Sequence, residues 1–300
     1  MSISANSHKK IFAMIGLVFA VLFWAINAVV ARDAVGHIPP MALSFYRWVV
    51  AIAILFPFAY KKAIAEKAVI KAHFTTLFWL ALPSVAIYNS VLYLGALYTT
   101  ATNISLVVAA MPAMTLAVAW MVNRDQPGII KAIGIFMALG GVVVIIAQGT
   151  LETILQLKAN PGDLLILVSI ASWAVYSVLF KRMALPISPL PFLFMTMVLG
   201  ILPVIPFYLF ELIHLGGFKV TWSVIGVFLY LGLCPSVLSY IFWNNGVKVL
   251  GASTASVSVY LIPVFTSAIS YVYLGEALYS YHFFGGMLIL AGLVLASKER

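Results

Sequence analysis

Charged residues are scarce in this 300-residue chain, in which Asp, Glu, Lys and Arg together make up 8% of the sequence. A soluble domain carries roughly 25% charged residues, because its surface must face water. Hydrophobic residues make up 64% of the sequence, and the mean hydropathy is +1.12. No compact soluble fold could bury so much apolar surface, so the composition predicts an integral membrane protein.

Cysteine and metal-ligand patterns are also lacking. The single cysteine, Cys234, excludes an intrachain disulfide, and its apolar surroundings favour a small core residue over a reactive thiol. The five histidines are scattered, at His8, His37, His73, His214 and His282. Because none pairs with another at a metal-ligand spacing, we expect no metal site and no cofactor.

What the chain has instead is a series of long apolar runs. A membrane-spanning helix needs about 20 mainly apolar residues. Ten such runs cover residues 11–31, 41–60, 75–97, 101–122, 128–147, 163–181, 189–210, 222–246, 252–274 and 279–297. A β-barrel would show alternating segments of about ten residues, so these runs predict an all-α protein with ten transmembrane helices. The first run exceeds the roughly 7–15 apolar residues of a signal peptide, and we interpret it as a retained span.

Lysine and arginine are distributed unevenly between alternate connections. With the N-terminus in the cytoplasm, 13 of the 17 basic residues fall in cytoplasmic segments, three fall in outside loops and Arg47 lies within a span. Positive residues collect on the cytoplasmic side of membrane proteins, so we expect both termini in the cytoplasm. The basic residues then face the cytoplasmic surface of the membrane, so the net charge of +9 does not imply a nucleic acid partner.

The two halves of the sequence resemble each other. Residues 101–141 align with residues 252–292 at a constant shift of 151 positions. We interpret the chain as two five-helix repeats, residues 1–148 and residues 149–300. Because five is odd, the second copy would enter the membrane upside down. Inverted repeats of this kind place a substrate cavity near the bilayer midplane, as in secondary transporters.

Several motifs occur once in each half. Trp24 matches Trp173, and an Ala-Thr/Ser-x-x-Ser…Pro pattern begins at Ala101 and again at Ala252. An acidic residue follows each fourth run. Each fifth run is rich in glycine, which favours close helix packing.

With these motifs the chain resembles the drug/metabolite transporter superfamily, specifically its ten-helix members built from two EamA-type repeats, over about residues 11–297. Among those members it is most similar to the YddG-type exporters of aromatic amino acids. The resemblance implies a bacterial inner-membrane protein whose helices surround a central cavity.

Polar and aromatic residues inside the predicted spans are the candidates for lining that cavity, because each costs free energy in lipid unless it has a partner. The set consists of Trp24, Asn27, Tyr88, Asn89, Tyr93, Trp173, Tyr176, Tyr240, Trp243 and Asn244. Asn89 and Tyr93 correspond to Tyr240 and Asn244, so Asn and Tyr exchange places between the halves. The same residues would also suit interhelical hydrogen bonds and aromatic packing, and the sequence leaves both interpretations open.

Arg47 is the one formal charge placed well inside a predicted span. A central arginine costs about 2.5–3.5 kcal/mol even on the permissive insertion scale. The residue could receive a substrate carboxylate, or it could extend outward to the membrane surface. The sequence leaves both roles open.

Four prolines are candidates for hinges or kinks beside the cavity. Pro112 and Pro263 lie mid-span at equivalent positions, where a proline removes a backbone hydrogen bond. Pro83 and Pro235 lie in the third helix of each half, one residue out of register. A tolerated kink with no part in gating is the alternative for each of them.

The acidic residues all fall in loops or near span ends, and Asp163 after Pro-Gly is typical of a helix start. Ion-coupled carriers often keep a carboxylate at the midplane, so we expect facilitative transport.

The expected function is export of aromatic or other large apolar amino acids and related metabolites by alternating access, with a monomer as the working unit. Another small metabolite, such as a threonine- or homoserine-like amino acid, a purine or a drug, is the alternative within the same fold. An intramembrane enzyme would need a nucleophile with a base or a set of metal ligands. A channel would need a filter-like loop. The sequence has no such nucleophile or ligand set, so we expect no enzymatic activity. It also has no filter-like loop, which disfavours a channel.

Overall fold

The computed structural model describes residues 2–123, 128–150, 152, 160–250 and 258–297. All regular structure in these ranges is helical. The helices are α1 (Ser2–Asp33), α2 (Pro40–Ala65), α3 (Lys67–Ala72), α4 (Phe74–Ala81), α5 (Tyr88–Gly95), α6 (Ala101–Ala109), α7 (Met111–Asn123), α8 (Ile129–Ile146), α9 (Pro161–Met183), α10 (Pro189–Leu215), α11 (Trp222–Leu233), α12 (Ser239–Leu250), α13 (Leu261–Tyr273) and α14 (Ser280–Ser297). Two π-helical segments, π1 (Leu82–Ile87) and π2 (Cys234–Leu238), join α4 to α5 and α11 to α12.

In the described ranges, six helical segments are long and apolar enough to cross a membrane. They are His8–Asp33, Pro40–Ala65, Phe74–Gly95, Pro161–Met183, Pro189–Leu215 and Trp222–Leu250. Helices α6 and α7 form a seventh span if they are taken together, and α8, α13 and α14 contain shorter apolar helices of 10–17 residues. Residues 124–127 and 251–257, next to α8 and α13, lie outside the described residues, and so does Asp125. The all-α membrane class is therefore confirmed.

The fourth predicted span is bent directly before Pro112. Helix α6 ends at Ala109 and α7 begins at Met111, and the two axes differ by 43°. Proline lacks a backbone N–H, and its ring clashes with the preceding turn, which accounts for a bend at this position. The equivalent Pro263 lies in the first turn of α13, a position that tolerates proline.

The two π-helical segments occupy matching positions in the third helix of each half. Each contains a Pro-Ser-Val sequence, beginning at Pro83 and at Pro235, 152 positions apart, whereas Gly95 and Gly246 are 151 apart. The first segment has six residues and the second has five. The one-residue mismatch between the prolines is therefore absorbed by a longer π turn, and both prolines lie at the same structural position.

Helix packing follows the same pattern in the two halves. Helix α1 packs on α12 and α13, and its counterpart α9 packs on α5 and α7. Each half thus places its first helix against the third and fourth helices of the other half. Helix α2 packs on its own counterpart α10, and α8 packs on its counterpart α14.

Small residues bring α8 and α14 into backbone contact. A Cβ atom on Gly141 would lie 2.6 Å from the carbonyl oxygen of Gly285, and one on Gly285 would lie 2.9 Å from that of Gly141. Further along, a Cβ on Gly292 would lie 2.5 Å from the Gly134 oxygen and the Ala138 nitrogen. The close packing predicted for these glycine-rich helices is confirmed, and the pairing order makes the two helices antiparallel.

Glutamate side chains cap helix N-termini between the halves. Glu211 at the end of α10 accepts hydrogen bonds from the N–H groups of Met41 and Ala42, at 3.0 and 2.8 Å. At the opposite end of this antiparallel pair, Glu66 accepts from the N–H of Ser188 at 2.9 Å. Hydrogen bonding from Ser188 also lowers the pKa of Glu66. These carboxylates satisfy N–H groups that a helix start leaves without partners and face the positive end of the helix dipole.

A second set of carboxylates joins the start of α6 to the other half. Glu276 accepts from the N–H groups of Ala101 and Thr102, at 2.8 and 3.0 Å. Asp163 lies in the first turn of α9, but the cap is Asn160, whose side chain accepts from the Gly162 N–H. Asp163 is instead buried and accepts hydrogen bonds from Thr99, in the connection between α5 and α6, and from Asn103 at the start of α6.

Candidate functional site

Arg47 of α2 lies at the centre of a polar cluster built by both halves. Its side chain is 3% exposed. Its Nε donates to Ser236 Oγ at 2.7 Å, and its Nη1 donates to the Tyr93 hydroxyl at 2.7 Å and to Asn27 Oδ1 at 3.2 Å. The Tyr93 hydroxyl in turn donates to Asn27 Oδ1 at 2.9 Å, and the guanidinium lies 5.0 Å from the ring centre of Trp48. The structure thus brings the predicted residues Asn27, Arg47 and Tyr93 together.

The charge of Arg47 has no counter-ion in the part of the chain that the structure describes. No carboxylate there forms an ion pair with it, and no acceptor binds its Nη2 nitrogen. Removing a cation from water costs several kcal/mol unless an anion or strong hydrogen bonds offset the loss. The side chain points into the cluster and does not extend outward to the membrane surface.

Aromatic residues form a second cluster between α5, α9 and α12. The ring centre of Trp173 lies 5.0 Å from Tyr88, 5.2 Å from Tyr176 and 6.3 Å from Tyr240. All four rings are partly buried. Tyr88 lies in α5, the helix that also carries Tyr93, whose hydroxyl group binds Arg47. Helix α5 therefore carries members of both clusters, an arrangement that suits a ligand with a ring and an anionic end.

The π-helical segments connect each half to the first helix of the other. Trp24 of α1 donates from Nε1 to the carbonyl oxygen of Pro235 in π2 at 3.2 Å, and its ring centre lies 5.4 Å from that of Trp243. In the opposite direction, Ser172 of α9 donates from Oγ to the carbonyl oxygen of Pro83 in π1 at 2.6 Å. A change of conformation in either π-helical segment would therefore alter hydrogen bonds at the interface between the halves.

The two asparagines of the third helices have different surroundings. Asn89 is 2% exposed, and its Nδ2 donates to the Ser84 carbonyl oxygen at 3.4 Å. Its Oδ1 atom is buried without a hydrogen-bond partner. Asn244 is exposed on α12, and none of the described residues hydrogen-bonds to its side chain. The structure therefore places Asn89 inside the bundle and Asn244 on its surface.

Ser236 was not among the residues predicted from the sequence, although it is the contact by which the second half reaches Arg47. Its Oγ accepts from Arg47 Nε and donates to the Leu231 carbonyl oxygen at 2.7 Å. A serine inside a helix is usually a local backbone partner and attracts no attention. The signal that could have identified it is the Pro-Ser-Val sequence that recurs at Pro83 and Pro235.

A helical membrane protein whose halves meet around a polar and aromatic centre has the architecture of a small-molecule transporter. The chain belongs to the EamA-like transporter family, whose profile matches residues 11–147 and 160–298. The two matched segments correspond to two repeats. The family and the relatives below are named as transporters, which confirms the expectation that the protein is not an enzyme.

The chain is similar along nearly its whole length to curated proteins of bacteria and archaea. It is 29% identical to a Bacillus subtilis protein named uncharacterized transporter YyaM, over 97% of this chain and 94% of that protein. It is 28% identical to an uncharacterized transporter of Archaeoglobus fulgidus, over 95% and 96% of the two chains. A Salmonella typhimurium protein named probable amino-acid metabolite efflux pump is 28% identical, over 92% and 91%.

One solved structure, titled "Crystal structure of protein", superimposes with a TM-score of 0.62 at 18% identity. The superposition covers 95% of this chain and 97% of the chain in that structure. At this identity the likeness concerns the fold alone.

Proposed function

We propose that the chain is a ten-helix carrier made of two inverted five-helix repeats, residues 1–148 and 149–300. The exchange of first helices between halves and the self-pairing of α2 with α10 and of α8 with α14 support a pseudo-two-fold axis. In this arrangement the protein lies in the bacterial inner membrane with both termini in the cytoplasm, and it works as a monomer. The two halves rock against each other to expose a central site to either side.

The substrate in this proposal is an aromatic or other large apolar amino acid that is exported down its own gradient. The observation that carries it is Arg47, a buried cation without a counter-ion among the described residues, whose partner Tyr93 shares α5 with Tyr88 of the Trp173 aromatic cluster. Arg47 receives the carboxylate, and the rings of Tyr88, Trp173 and Tyr240 pack on the substrate ring. The similarity to a Salmonella efflux pump for amino-acid metabolites is consistent with this class of substrate.

The remaining predicted residues have roles at the border of this site. Trp24 and Trp243 close one side of it, Tyr176 extends the aromatic surface, and Asn244 faces the substrate only after a rearrangement of α12. Pro83 and Pro235 in the π-helical segments, together with Pro112 and Pro263, provide the flexible points at which the halves rearrange.

Counterflow in proteoliposomes tests the proposal. Vesicles are loaded with one unlabelled solute at a time from a panel of amino acids, purines and drugs, and entry of labelled phenylalanine, tryptophan or threonine is followed without an ion gradient. We expect internal phenylalanine or tryptophan to accelerate entry of the labelled aromatic amino acids. Exchange only of threonine or of a purine would assign the same fold to a different metabolite. Exchange driven by a pH gradient against the substrate gradient would overturn the facilitative mechanism.

A further inference from the structure

Asn89 lies one helical turn before Tyr93 of the Arg47 cluster. Its Oδ1 atom is a buried acceptor to which no described residue donates a hydrogen bond. In the part of the chain that the structure describes, only Trp48 Nε1 and Asn89 Oδ1 are buried side-chain polar atoms without a hydrogen-bond partner. Trp48 packs among apolar residues of α10 that include Phe194 and Met197. A buried carbonyl oxygen without a donor costs roughly 1–3 kcal/mol, so the position of Asn89 calls for a donor from elsewhere.

The orientation of the Asn89 amide follows from its neighbour. The Ser84 carbonyl oxygen can only accept a hydrogen bond, so the Nδ2 group of Asn89 must face it. Exchanging the two ends of the amide would place two acceptors against each other. The Oδ1 atom therefore points away from π1, as an acceptor.

Asn89 lies on the same face of α5 as the residue that binds Arg47. Tyr93 follows one helical turn later, and side chains four residues apart on a helix have Cβ atoms about 5–6 Å apart. Helical side chains lean toward the N-terminus of their helix, so the Tyr93 hydroxyl lies over the turn that carries Asn89. That hydroxyl is 2.7 Å from Arg47 Nη1. Asn89, with its unpaired acceptor, and Tyr93, which binds Arg47, thus lie one turn apart on the same face of α5.

We propose that Arg47 and Asn89 form a head-group site for a zwitterion, in which Arg47 binds the carboxylate and Asn89 Oδ1 accepts a hydrogen bond from the ammonium group. Both groups of an α-amino acid are attached to the same carbon atom, so one substrate reaches both residues. This inference rests on the proposed function and restricts the substrate to solutes that carry both an ammonium group and a carboxylate. Solutes with only one of the two groups leave either Arg47 or Asn89 without its partner and bind weakly.

The test uses the full chain in proteoliposomes and measures competition with labelled phenylalanine. The competitors are phenylalanine, 3-phenylpropionate, which lacks the ammonium group, and phenethylamine, which lacks the carboxylate. We expect each analogue to compete at least tenfold more weakly than phenylalanine. In Asn89→Leu, the preference for phenylalanine over 3-phenylpropionate should fall from at least tenfold to near one.

A structural role for Asn89 would weaken phenylalanine and its analogues equally, and the ratio between competitors separates the two explanations. The same substitution at an exposed position, Asn245→Leu, is the matched control and should leave the ratio unchanged. If Asn89→Leu does not insert stably, Asn89→Ala and the wild-type competition series carry the test.

Each outcome decides one of the two proposals. Equal competition by phenylalanine and 3-phenylpropionate in the wild type, or an unchanged preference in both Asn89→Leu and Asn89→Ala, would overturn the head-group site and leave the aromatic amino acid carrier standing. Exchange of threonine but not of aromatic amino acids would overturn the proposed substrate. The head-group site would then be supported if butyrate derivatives without an ammonium group fail to compete, and overturned if they compete equally. Exchange of no amino acid would overturn both.

Discussion

Among single residues, Arg47 is the one on which the proposed binding site depends most. Its three hydrogen bonds use Nε and Nη1 and join residues from both halves, while Nη2 stays available. The planar guanidinium can hold Ser236 and a carboxylate at the same time, which a single ammonium group cannot do with the same geometry.

The first prediction is that Arg47→Lys lowers phenylalanine exchange at least tenfold although the positive charge is retained. Lysine replaces a planar fork by a point charge and loses the contact with Ser236. The measurement is counterflow of labelled phenylalanine, with Arg32→Lys as the matched control because, among the described residues, Arg32 binds backbone carbonyl groups of Ala96 and Leu97 and no side chain. Wild-type exchange by Arg47→Lys would show that the guanidinium plays no part in binding.

The sequence indicates which residue types are unusual in a membrane but not which of them meet. Arg47, Asn27 and Tyr93 could be selected because polar residues are rare in spans. Their contact depends on how α1, α2 and α5 are rotated, and a pattern along one helix does not contain that information. Ser236 has no distinguishing signal of this kind because serine is common in membrane helices, and the exposure of Asn244 on α12 follows from tertiary packing that the sequence pattern does not contain.

At the scale of elements, close backbone packing holds α8 against α14. We predict that Gly141→Ala lowers the melting temperature of the purified protein, because the new Cβ would lie 2.6 Å from a backbone oxygen of α14. Overpacking of this kind typically costs about 1–3 kcal/mol. Gly140→Ala is the matched control, since a Cβ there meets nothing within 4 Å. Equal melting temperatures for the two variants would contradict the described helix interface.

The glutamate caps supply a second prediction at this scale. Glu211→Leu should destabilise the protein by about 1–3 kcal/mol, because two N–H groups at the start of α2 lose their acceptor. Glu66→Leu removes a single bond at a partly exposed position and should have a smaller effect. Thermal unfolding monitored by tryptophan fluorescence measures both variants. A smaller loss of stability in Glu211→Leu than in Glu66→Leu would contradict a stabilising role for the Glu211 cap.

Helix existence was predictable from apolar runs, whereas the breaks within the helices were less so. Proline predicts a kink, and the bend before Pro112 follows that rule. The π turns at Pro83 and Pro235 were visible in the sequence only as a misalignment of one residue between the repeats. A difference in repeat spacing shows that one copy has an extra residue but does not show that a wider helical turn absorbs it.

At the scale of the whole molecule, the proposed inversion of the second repeat makes a prediction about topology. Lys67→Cys and Lys219→Cys, each introduced into Cys234→Ser, should react with an impermeant maleimide from opposite sides of the membrane. We expect Lys219→Cys to be labelled in intact cells and Lys67→Cys only after the cells are opened. Labelling of both positions from the same side would exclude the proposed arrangement.

The repeat in the sequence made the two-half organisation predictable without any structure, because aligned motifs recur at a nearly constant spacing. The way in which the halves pack could not be read from it. The exchange of α1 and α9 between the halves depends on surface shape, such as the contact of Gly246 with Leu17 and of Gly95 with Ile166. Neither contact has a signature within a single helix.

Counterflow of labelled phenylalanine by Trp173→Ala tests whether the aromatic and cationic centre binds the transported amino acid. Trp173 contacts Tyr88, Tyr176 and Tyr240, and losing its ring removes stacking surface from the substrate. Trp222→Ala, at a position that is 88% exposed, is the matched control. We predict a loss of at least tenfold in Trp173→Ala and wild-type exchange in Trp222→Ala. Equal exchange by the two variants would contradict the proposed site.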